Sequence, residues 1–283
     1  MESQRQPSFF ALLNPLGAVQ NLYLHRGLLW QFTKRNVEMR HRGSVLGLLW
    51  AVLNPLLMLA LYVFVFGYLF GGTFGVVEKE SPWDYGLGVF LGLAIFHLIS
   101  ESIAIAPTVI TSNPNFVKKV VFPLEVLPAS AVGAAVIHMA ITIAMIVVGL
   151  FLGGHGLTLS VFWLPVIVLP MIAIALGCSW LLAALGVFFR DIGQFVGALV
   201  TALMFASAIF YPASRVIEKA PWAWPFVRWN PLIHAVEAAR DVLIWNRPFS
   251  TYNLALLYLA GTLTSLVGFA CFARCKRAFA DVM

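Results

Sequence analysis

The one ionisable pair inside a long apolar run is His97 and Glu101. A spacing of four residues places both side chains on one face of a helix. A charged side chain at the centre of a bilayer costs about 2.5–3.5 kcal/mol on insertion scales, so such residues usually face a partner or water. The pair fits either a proton relay or a hydrogen bond between helices. We expect the structural role, because the same run contains no further titratable residue that would extend a relay.

The other reactive side chains form no motif of soluble-enzyme chemistry. The sequence contains no Gly-x-x-x-x-Gly-Lys-Ser/Thr loop, no His-Glu-x-x-His, no Gly-x-Ser-x-Gly and no Asp-x-Asp. We therefore expect a chain that is not an enzyme and that does not hydrolyse ATP itself through a phosphate loop. We also expect no metal site, because Cys178, Cys271 and Cys275 lie in or beside apolar runs and His138 stands alone. Ordinary packing is expected for all four.

The composition indicates the medium in which these residues lie. Apolar residues make up 61% of the chain and charged residues 11%, against about 25% charged in a soluble domain. The mean hydropathy is +0.89. Both values predict an all-α integral membrane protein in contact with lipid. The net charge of +6 is better explained by cations on the cytoplasmic side than by a nucleic-acid partner, and none is expected.

A basic stretch precedes the first apolar run. Lys34, Arg35, Arg40 and Arg42 come directly before the run from Gly43 to Phe70, which is uncharged. That run is long enough to span a bilayer with some tilt. From Leu22 to Arg42 the pattern is that of an amphipathic helix at the membrane surface. Such a helix is either a lipid-headgroup anchor or a segment that also contacts a cytoplasmic subunit, and both interpretations stay open on the pattern alone.

Six apolar runs predict six transmembrane helices. They lie near 44–70, 86–110, 126–152, 161–189, 194–212 and 252–273. An even number places both termini on the same side of the membrane. If that side is the cytoplasm, it carries 12 of the 18 lysines and arginines, which agrees with the inside-positive rule. The chain then divides into an N-terminal segment (1–43), a transmembrane domain (44–273) and a cytoplasmic tail (274–283).

Two connections between the runs have patterns of their own. The inner connection, 111–125, begins with a Ser-Asn-Pro-Asn sequence that can cap a short helix and contains two lysines before Pro123. It is either a short basic helix for a partner or a plain turn. The outer connection, 213–251, contains four tryptophans and a patterned stretch with too many charges for a span. We expect a short helical hairpin that dips in from the outer face, with tryptophans at the interface.

Aromatic residues recur along the first and fifth runs. Asn54, Met58, Tyr62 and Phe66 share one face of the first run. Phe205, Phe210 and Tyr211 lie near the outer end of the fifth. Aromatic rings can contact the apolar faces of sugar rings, so these residues could line a sugar path. The alternative is ordinary packing between helices.

Four sequence stretches resemble a known family. They are Arg40–Pro55 (RHRGSVLGLLWAVLNP), Asn113–Pro128 (NPNFVKKVVFPLEVLP), Phe189–Ile192 (FRDI) and Trp229–Pro231 (WNP). Together they are similar to the membrane subunit of type-2 ABC exporters, in the branch that exports O-antigen, capsule and teichoic acid polymers. The resemblance covers nearly the whole chain.

The resemblance implies an assembly. It implies a homodimer of six-span subunits with two copies of a separate ABC-type ATP-binding subunit, which would hold ATP and Mg. It implies that Leu22–Arg42 is an interface helix, that 113–122 is a coupling helix and that 213–245 is an outer gate. The residues then expected to contact the ATP-binding partner are Asn113, Asn115, Lys118, Lys119, Lys34, Arg35, Arg40 and Arg42. The residues expected at the gate are Trp222, Trp224, Trp229, Asn230 and Pro231.

The function expected from residues and resemblance together is export of a lipid-linked polysaccharide across the bacterial inner membrane. Asn54, Tyr62, Phe66, Phe205, Phe210 and Tyr211 are the candidate path residues. Two alternatives are a proton-driven lipid or glycan flippase that uses His97 and Glu101, and a type-2 exporter of a small lipophilic drug. A glycan transferase is disfavoured, because the acidic metal motif is missing.

Overall fold

The computed structural model describes residues 15–40, 43–77, 80–118, 122–156 and 158–282. Within these ranges the regular structure is helical and no strand occurs. The helices are α1 (Pro15–Leu24), α2 (Arg26–Arg40), α3 (Trp50–Tyr62), α4 (Pro82–Val109), α5 (Pro114–Lys118), α6 (Val126–Leu152), α7 (Leu164–Phe188), α8 (Ile192–Ala206), α9 (Ala213–Lys219), α10 (Trp224–Val227), α11 (Pro231–Leu243), α12 (Thr251–Cys275) and α13 (Phe279–Val282). The prediction of an all-α protein is confirmed for these residues.

Five helices of the described chain are long and apolar enough to cross a membrane. They are Trp50–Leu69, Pro82–Val109, Val126–Leu152, Leu159–Phe188 and Thr251–Val282. This is a multi-pass membrane protein. The predicted span at 194–212 corresponds to α8, which has 15 residues and ends at Ala206. At 1.5 Å per residue α8 is about 22 Å long, less than a hydrocarbon core of about 30 Å.

Helix α4 is the centre of the bundle. Ser81 caps its first turn in a reciprocal capping box with Asp84, and Pro82 occupies the first helical position. Every residue from Asp84 to Phe96 is buried. Helices α6 and α7 pack along its length. In a bilayer, burial on all sides requires other protein helices around it, so α4 is the scaffold on which the other spans are arranged.

Small residues bring the spanning helices into close contact. A Cβ added to Gly186 of α7 would lie 2.0 Å from the carbonyl oxygen of Pro107 in α4. A Cβ on Gly268 of α12 would lie 2.0 Å from the carbonyl oxygen of Gly177 in α7. Helix backbones approach this closely only where a side chain is absent, which is the usual packing device of membrane helices.

The first span is less regular than α4. Pro55 lies inside α3, and the helix continues as a π-helical segment, Val63–Leu69. This π segment packs tightly on the beginning of α4, where a Cβ on Gly86 would lie 2.1 Å from Cγ2 of Val63. Proline and a π segment both interrupt regular backbone hydrogen bonding. The π segment packs more closely on α4 than the first part of the span does.

The bundle has two distinct ends. The α2 end carries α1, α2, α5 and α13, and its apolar core includes Phe272, Phe279 and Trp180. The α11 end carries α9, α10 and α11, and here α11 packs against the first half of α4. The two termini of the described chain therefore lie at the same end.

Candidate functional site

Helix α2 packs directly against the start of α6. Thr33 is buried, and its hydroxyl donates to the carbonyl oxygen of Ser130 over 3.5 Å. The amide nitrogen of Asn36 donates to Oγ of Ser130 over 3.0 Å. Gly133 makes this contact possible, because a Cβ there would lie 2.6 Å from Oγ1 of Thr33. Helix α2 is therefore attached to the bundle by specific polar contacts.

An aromatic cluster joins α2 to the short helix α5. The ring centroid of Phe32 lies 5.5 Å from that of Phe116 and 5.3 Å from that of Phe122. Phe116 and Phe122 are 4.7 Å apart. Aromatic pairs at such distances each contribute on the order of 1 kcal/mol beyond the burial of area. Residues 114–118 form a helix as the first of the two sequence interpretations expected, and this helix packs on α2.

The residues predicted to contact a partner lie on this surface. The side-chain amide of Asn113 donates to the carbonyl oxygen of Val109, the last residue of α4, over 2.9 Å. Lys34, Arg35, Asn115 and Lys118 are exposed. Arg40 is half-exposed and belongs to the cluster described below. Lys119 and Arg42 lie outside the described residues.

Glu125 is a residue that sequence reasoning missed. Its carboxylate is buried and accepts a hydrogen bond from Nζ of Lys276 over 2.7 Å and another from the side-chain amide of Asn21. The indole nitrogen of Trp180 donates to its carbonyl oxygen over 3.1 Å. Glu125 thus ties the segments that precede α2 and follow α12 to the base of α6. The signal in the sequence was an acid directly before an apolar run.

Glu101 of α4 forms its closest polar contacts with other helices. Its Oε2 lies 2.6 Å from Nη1 of Arg40 in α2 and 3.0 Å from Nδ1 of His138 in α6. Nη1 of Arg40 also lies 2.8 Å from Nδ1 of His138. Depending on its tautomer, this nitrogen donates to the carboxylate or accepts from the guanidinium. We call Arg40, Glu101 and His138 the Arg40 cluster.

His97 and Glu101 line the same cavity, but the short polar contacts of Glu101 are with Arg40 and His138. The ring of His97 is exposed to a cavity, one turn away from Glu101. The role of Glu101 as a contact between helices agrees with the structural expectation. His138 belongs to the same polar contact, which its position as a lone histidine did not reveal.

The Arg40 cluster forms the polar end of a cavity between α3, α4 and α6. The cavity has a volume of about 270 Å³. Its wall on the first span is formed by Trp50, Asn54, Met58 and Tyr62, and the opposite wall includes Phe90, His97 and Thr142. Apolar aromatic walls thus meet charged groups at one end of the cavity.

The predicted path aromatics continue from this cavity toward the α11 end. The ring of Tyr62 lies 6.1 Å from that of Phe210, and Phe66 stacks on Phe210 at 5.2 Å. Phe205 lies 6.3 Å from Phe210. The hydroxyl of Tyr211 donates to the carbonyl oxygen of Phe205. The structure therefore brings the aromatics of the first and fifth predicted spans into one row, in which the rings also pack against each other.

Arg240, a second residue that sequence reasoning missed, organises the α11 end. Its buried guanidinium donates to the carbonyl oxygens of Gly88, Ala208 and Ile209 over 2.5–2.9 Å and lies over the ring of Phe74. Burial lowers the pKa of Arg240 to about 10, so the group stays protonated at neutral pH. The sequence placed Arg240 among the charged residues of this stretch and did not mark it as buried.

The predicted gate residues lie on this end as well. Asn230 caps α11 by accepting from the backbone of Leu232, and its amide donates to Ala206 and Ser207 at the end of α8. Pro231 is the first residue of α11. Trp222 and Trp229 are exposed, whereas Trp224 is half-buried. Within the described residues, His, Cys, Asp and Glu form no group of three that could hold a metal ion.

The described residues thus form a helical multi-pass membrane protein around a buried central span. Residues 27–244 match the family model of the ABC-2 type transporter. The chain belongs to the membrane-protein family of ABC-2 type transporters, which confirms the resemblance.

Curated relatives extend this result over most of the chain. The chain is 30% identical over 257 residues to the O-antigen export system permease protein RfbA of Klebsiella pneumoniae, which covers 90% of this chain and 95% of the relative. It is 32% identical to the protein of that name from Myxococcus xanthus, over 81% of this chain and 85% of the relative. It is 25% identical to the polysialic acid transport protein KpsM of Escherichia coli, over 83% and 88%.

Proposed function

We propose that this chain is the permease subunit of an ATP-driven exporter that moves a lipid-linked polysaccharide across the bacterial inner membrane. The observation that carries the proposal is the alignment with O-antigen export permeases over 90% of this chain and 95% of the relative. The further relatives include a polysialic acid transport protein, which favours a polysaccharide over a small lipophilic drug. The match to the ABC-2 type transporter family favours ATP-driven export over a proton-driven flippase.

The proposed topology has six membrane segments. Helix α8 is the fifth, although it is shorter than the others, and the irregular residues up to Pro212 complete its crossing. Both termini are cytoplasmic, so the α2 end faces the cytoplasm and the α11 end faces outward. This orientation places the exposed Lys34, Arg35 and Lys118 on the cytoplasmic side, in agreement with the inside-positive rule. Segments 1–43, 44–273 and 274–283 then form the interface segment, the transmembrane domain and the tail.

The proposed assembly is a homodimer with two ATP-binding subunits, which hold ATP and Mg. Helices α2 and α5 are the interface and coupling helices. Their support is the Phe32–Phe116–Phe122 cluster, which makes them one mechanical unit, together with the exposed cations around it. Helices α9 to α11 form a re-entrant outer gate whose exposed Trp222 and Trp229 lie at the membrane interface.

The proposed sugar path follows the aromatic row. Asn54 and Tyr62 line the cavity, and Phe66, Phe205, Phe210 and Tyr211 continue from it toward the gate. Repeated weak contacts suit conduction, because a polymer must leave each site that it enters. Aromatic rings with polar groups nearby can contact both the C–H faces and the hydroxyls of sugars.

The function is tested by reconstitution. Proteoliposomes that contain this chain and its ATP-binding partner should export the lipid-linked polymer only with ATP and Mg. Lys118→Glu should weaken co-purification with the partner and lower export. Lys219→Glu is the matched control for co-purification, because Lys219 is an exposed lysine in the last turn of a short helix at the opposite end. Full export by this chain alone, without ATP, contradicts the proposal.

A further inference from the structure

The Arg40 cluster connects α2 to α4 and α6 through charged groups, whereas the contacts of Thr33 and Asn36 with Ser130 are neutral. Arg40 is the last residue of α2, and α2 packs on α5 through Phe32 and Phe116. Glu101 lies in α4, the buried centre of the bundle. A displacement of α2 and α5 as one unit therefore changes the distance between Arg40 and Glu101 directly.

The position of Arg40 at a corner of the chain makes this contact adjustable. Gly43 and Gly47, which follow closely, both have positive φ values, of 85° and 49°. These glycines turn the chain from α2 into the first span, and other residues rarely adopt that conformation. The side chain of Arg40 is 50% exposed and that of Glu101 21% exposed. Both charged groups already contact solvent in part, so separating Arg40 from Glu101 does not move a charge out of a fully dry interior.

The same cluster lines the end of the cavity that lies toward α2. The wall opposite Glu101 is the first part of α3, with Asn54 and Met58. This part of the first span contains Pro55, whereas the later π segment packs tightly against Gly86 of α4. If the ion pair opens, the less closely packed start of the first span can separate from α4 and α6 while its far end stays in place. The cavity then becomes continuous with water at the α2 end.

We infer that Arg40, Glu101 and His138 are positioning residues that keep the cavity closed at the α2 end and open it when α2 moves. The link from this opening to transport rests on the proposed function, in which an ATP-binding partner moves α2 and α5. The closure itself is a property of this chain and can be measured without the partner.

Access of water to the cavity tests the closure. Thr142 lines the cavity, and Thr142→Cys in a background without Cys178, Cys271 and Cys275 provides a reporter thiol. A membrane-impermeant maleimide is added from the α2 side of membrane vesicles that contain the chain. Glu101→Gln and Arg40→Gln should each raise the labelling rate about tenfold, because a charge-assisted hydrogen bond shifts an equilibrium by that order. Arg40→Lys, which keeps the charge, should raise it less.

Two further variants separate closure from general loss of stability. The double variant Arg40→Gln with Glu101→Gln leaves no unpaired charge, and it should still label about as fast as the single variants. Asp84→Asn removes a carboxylate at the other end of α4 that pairs with His155 at 2.7 Å, and it should leave the labelling rate unchanged. Unchanged labelling in the neutral variants, or an equal rise in Asp84→Asn, overturns the inference.

The complex with the ATP-binding partner then tests the link to transport. ATP should raise labelling of Thr142→Cys in the otherwise unaltered cluster, and Glu101→Gln should abolish this dependence while ATP hydrolysis continues. If the vesicle experiment succeeds and ATP has no effect on labelling, the closure stands and the link to ATP is overturned. If no ATP-dependent export occurs at all, the proposed function fails independently of the closure.

Discussion

The first and second membrane spans are neighbours with opposite surroundings. In the most apolar stretch of the second span, 78% of the residues are buried inside the protein, against 17% in the first. The second span has an N-terminal capping box and an uninterrupted buried stretch from Asp84 to Phe96, whereas the first contains Pro55 and a π segment. Equal apolarity thus serves two purposes. In α4 it builds a scaffold, and in the first span it provides a surface for lipid or for another subunit.

The largest effect is expected where a helix backbone touches the second span. In Gly186→Leu the new side chain would overlap the carbonyl oxygen of Pro107, because even a Cβ lies 2.0 Å from it. Two backbones must then separate, and we expect almost no folded protein. Gly197→Leu in α8 is the control, since nothing lies within 4 Å of a Cβ there. The yield of monodisperse protein in detergent is the measurement, and equal yields contradict the packing of α7 on α4.

The next effect concerns the contact of α11 with the second span. Arg240→Met keeps a long side chain but removes the donors for the carbonyl oxygens of Gly88, Ala208 and Ile209. The carbonyl oxygens of Ala208 and Ile209 lose this donor, and that of Gly88, which also accepts within α4, loses its second one, so the free energy of unfolding should fall by about 3 kcal/mol. Arg247→Met, in an exposed residue that follows α11, is the comparison and should cost less. Thermal unfolding of the purified proteins measures both, and similar costs would mean that Arg240 does not hold α11 to α4.

A matched pair of leucines tests the comparison of the two spans directly. Leu91 of α4 is fully buried, whereas Leu57 of α3 is 60% exposed. Leu91→Ala should lower the free energy of unfolding by about 3 kcal/mol, because it leaves a cavity in a packed core. Leu57→Ala should change it by less than about 0.5 kcal/mol. Unfolding in detergent gives both values. If Leu57→Ala costs as much in the purified protein, its surface is covered by a second subunit rather than by detergent.

A substitution of Tyr62 should have the smallest effect on stability. It should lower transport instead. Tyr62→Leu keeps an apolar side chain but removes the ring that lines the cavity and lies near Phe210. Export should decrease about fivefold, the order of one lost aromatic contact. Tyr68→Leu, in an exposed residue of the π segment, should leave export near its original rate. Unchanged export with a stability loss as large as that of Leu91→Ala would place Tyr62 in the packing instead of the path.

Tertiary contacts explain why the fifth predicted span ends early. The apolar run from Gln194 to Pro212 predicts one helix, but α8 ends at Ala206 and Ala208 adopts a positive φ of 51°. Its carbonyl oxygen and that of Ile209 accept from Arg240, which lies more than 30 residues later in the chain. A hydropathy profile does not detect a helix end that is caused by a buried charge in another helix.

The sequence by itself determined the elements whose causes are local. The length of an uncharged run predicts a span, because the hydrocarbon thickness of a bilayer sets the number of residues needed. The proline-ended inner connection and the aromatic stripes were also visible in the sequence. Spacing along a helix fixes which side chains share a face. The motif stretches around Arg40, Asn113 and Trp229 likewise indicated the family, which the comparisons confirm.

Only the tertiary structure decided which of these residues meet. The four-residue spacing of His97 and Glu101 placed them on one face, but Glu101 contacts Arg40 and His138, which come from two other helices. The sequence of a helix does not state how far its neighbours are rotated or how deeply they lie. The rotation and depth of a helix depend on where two backbones can approach each other, as at Gly133 beside Thr33. Such an approach is a property of both helices together. The partners of a charge inside a membrane protein are therefore set by packing.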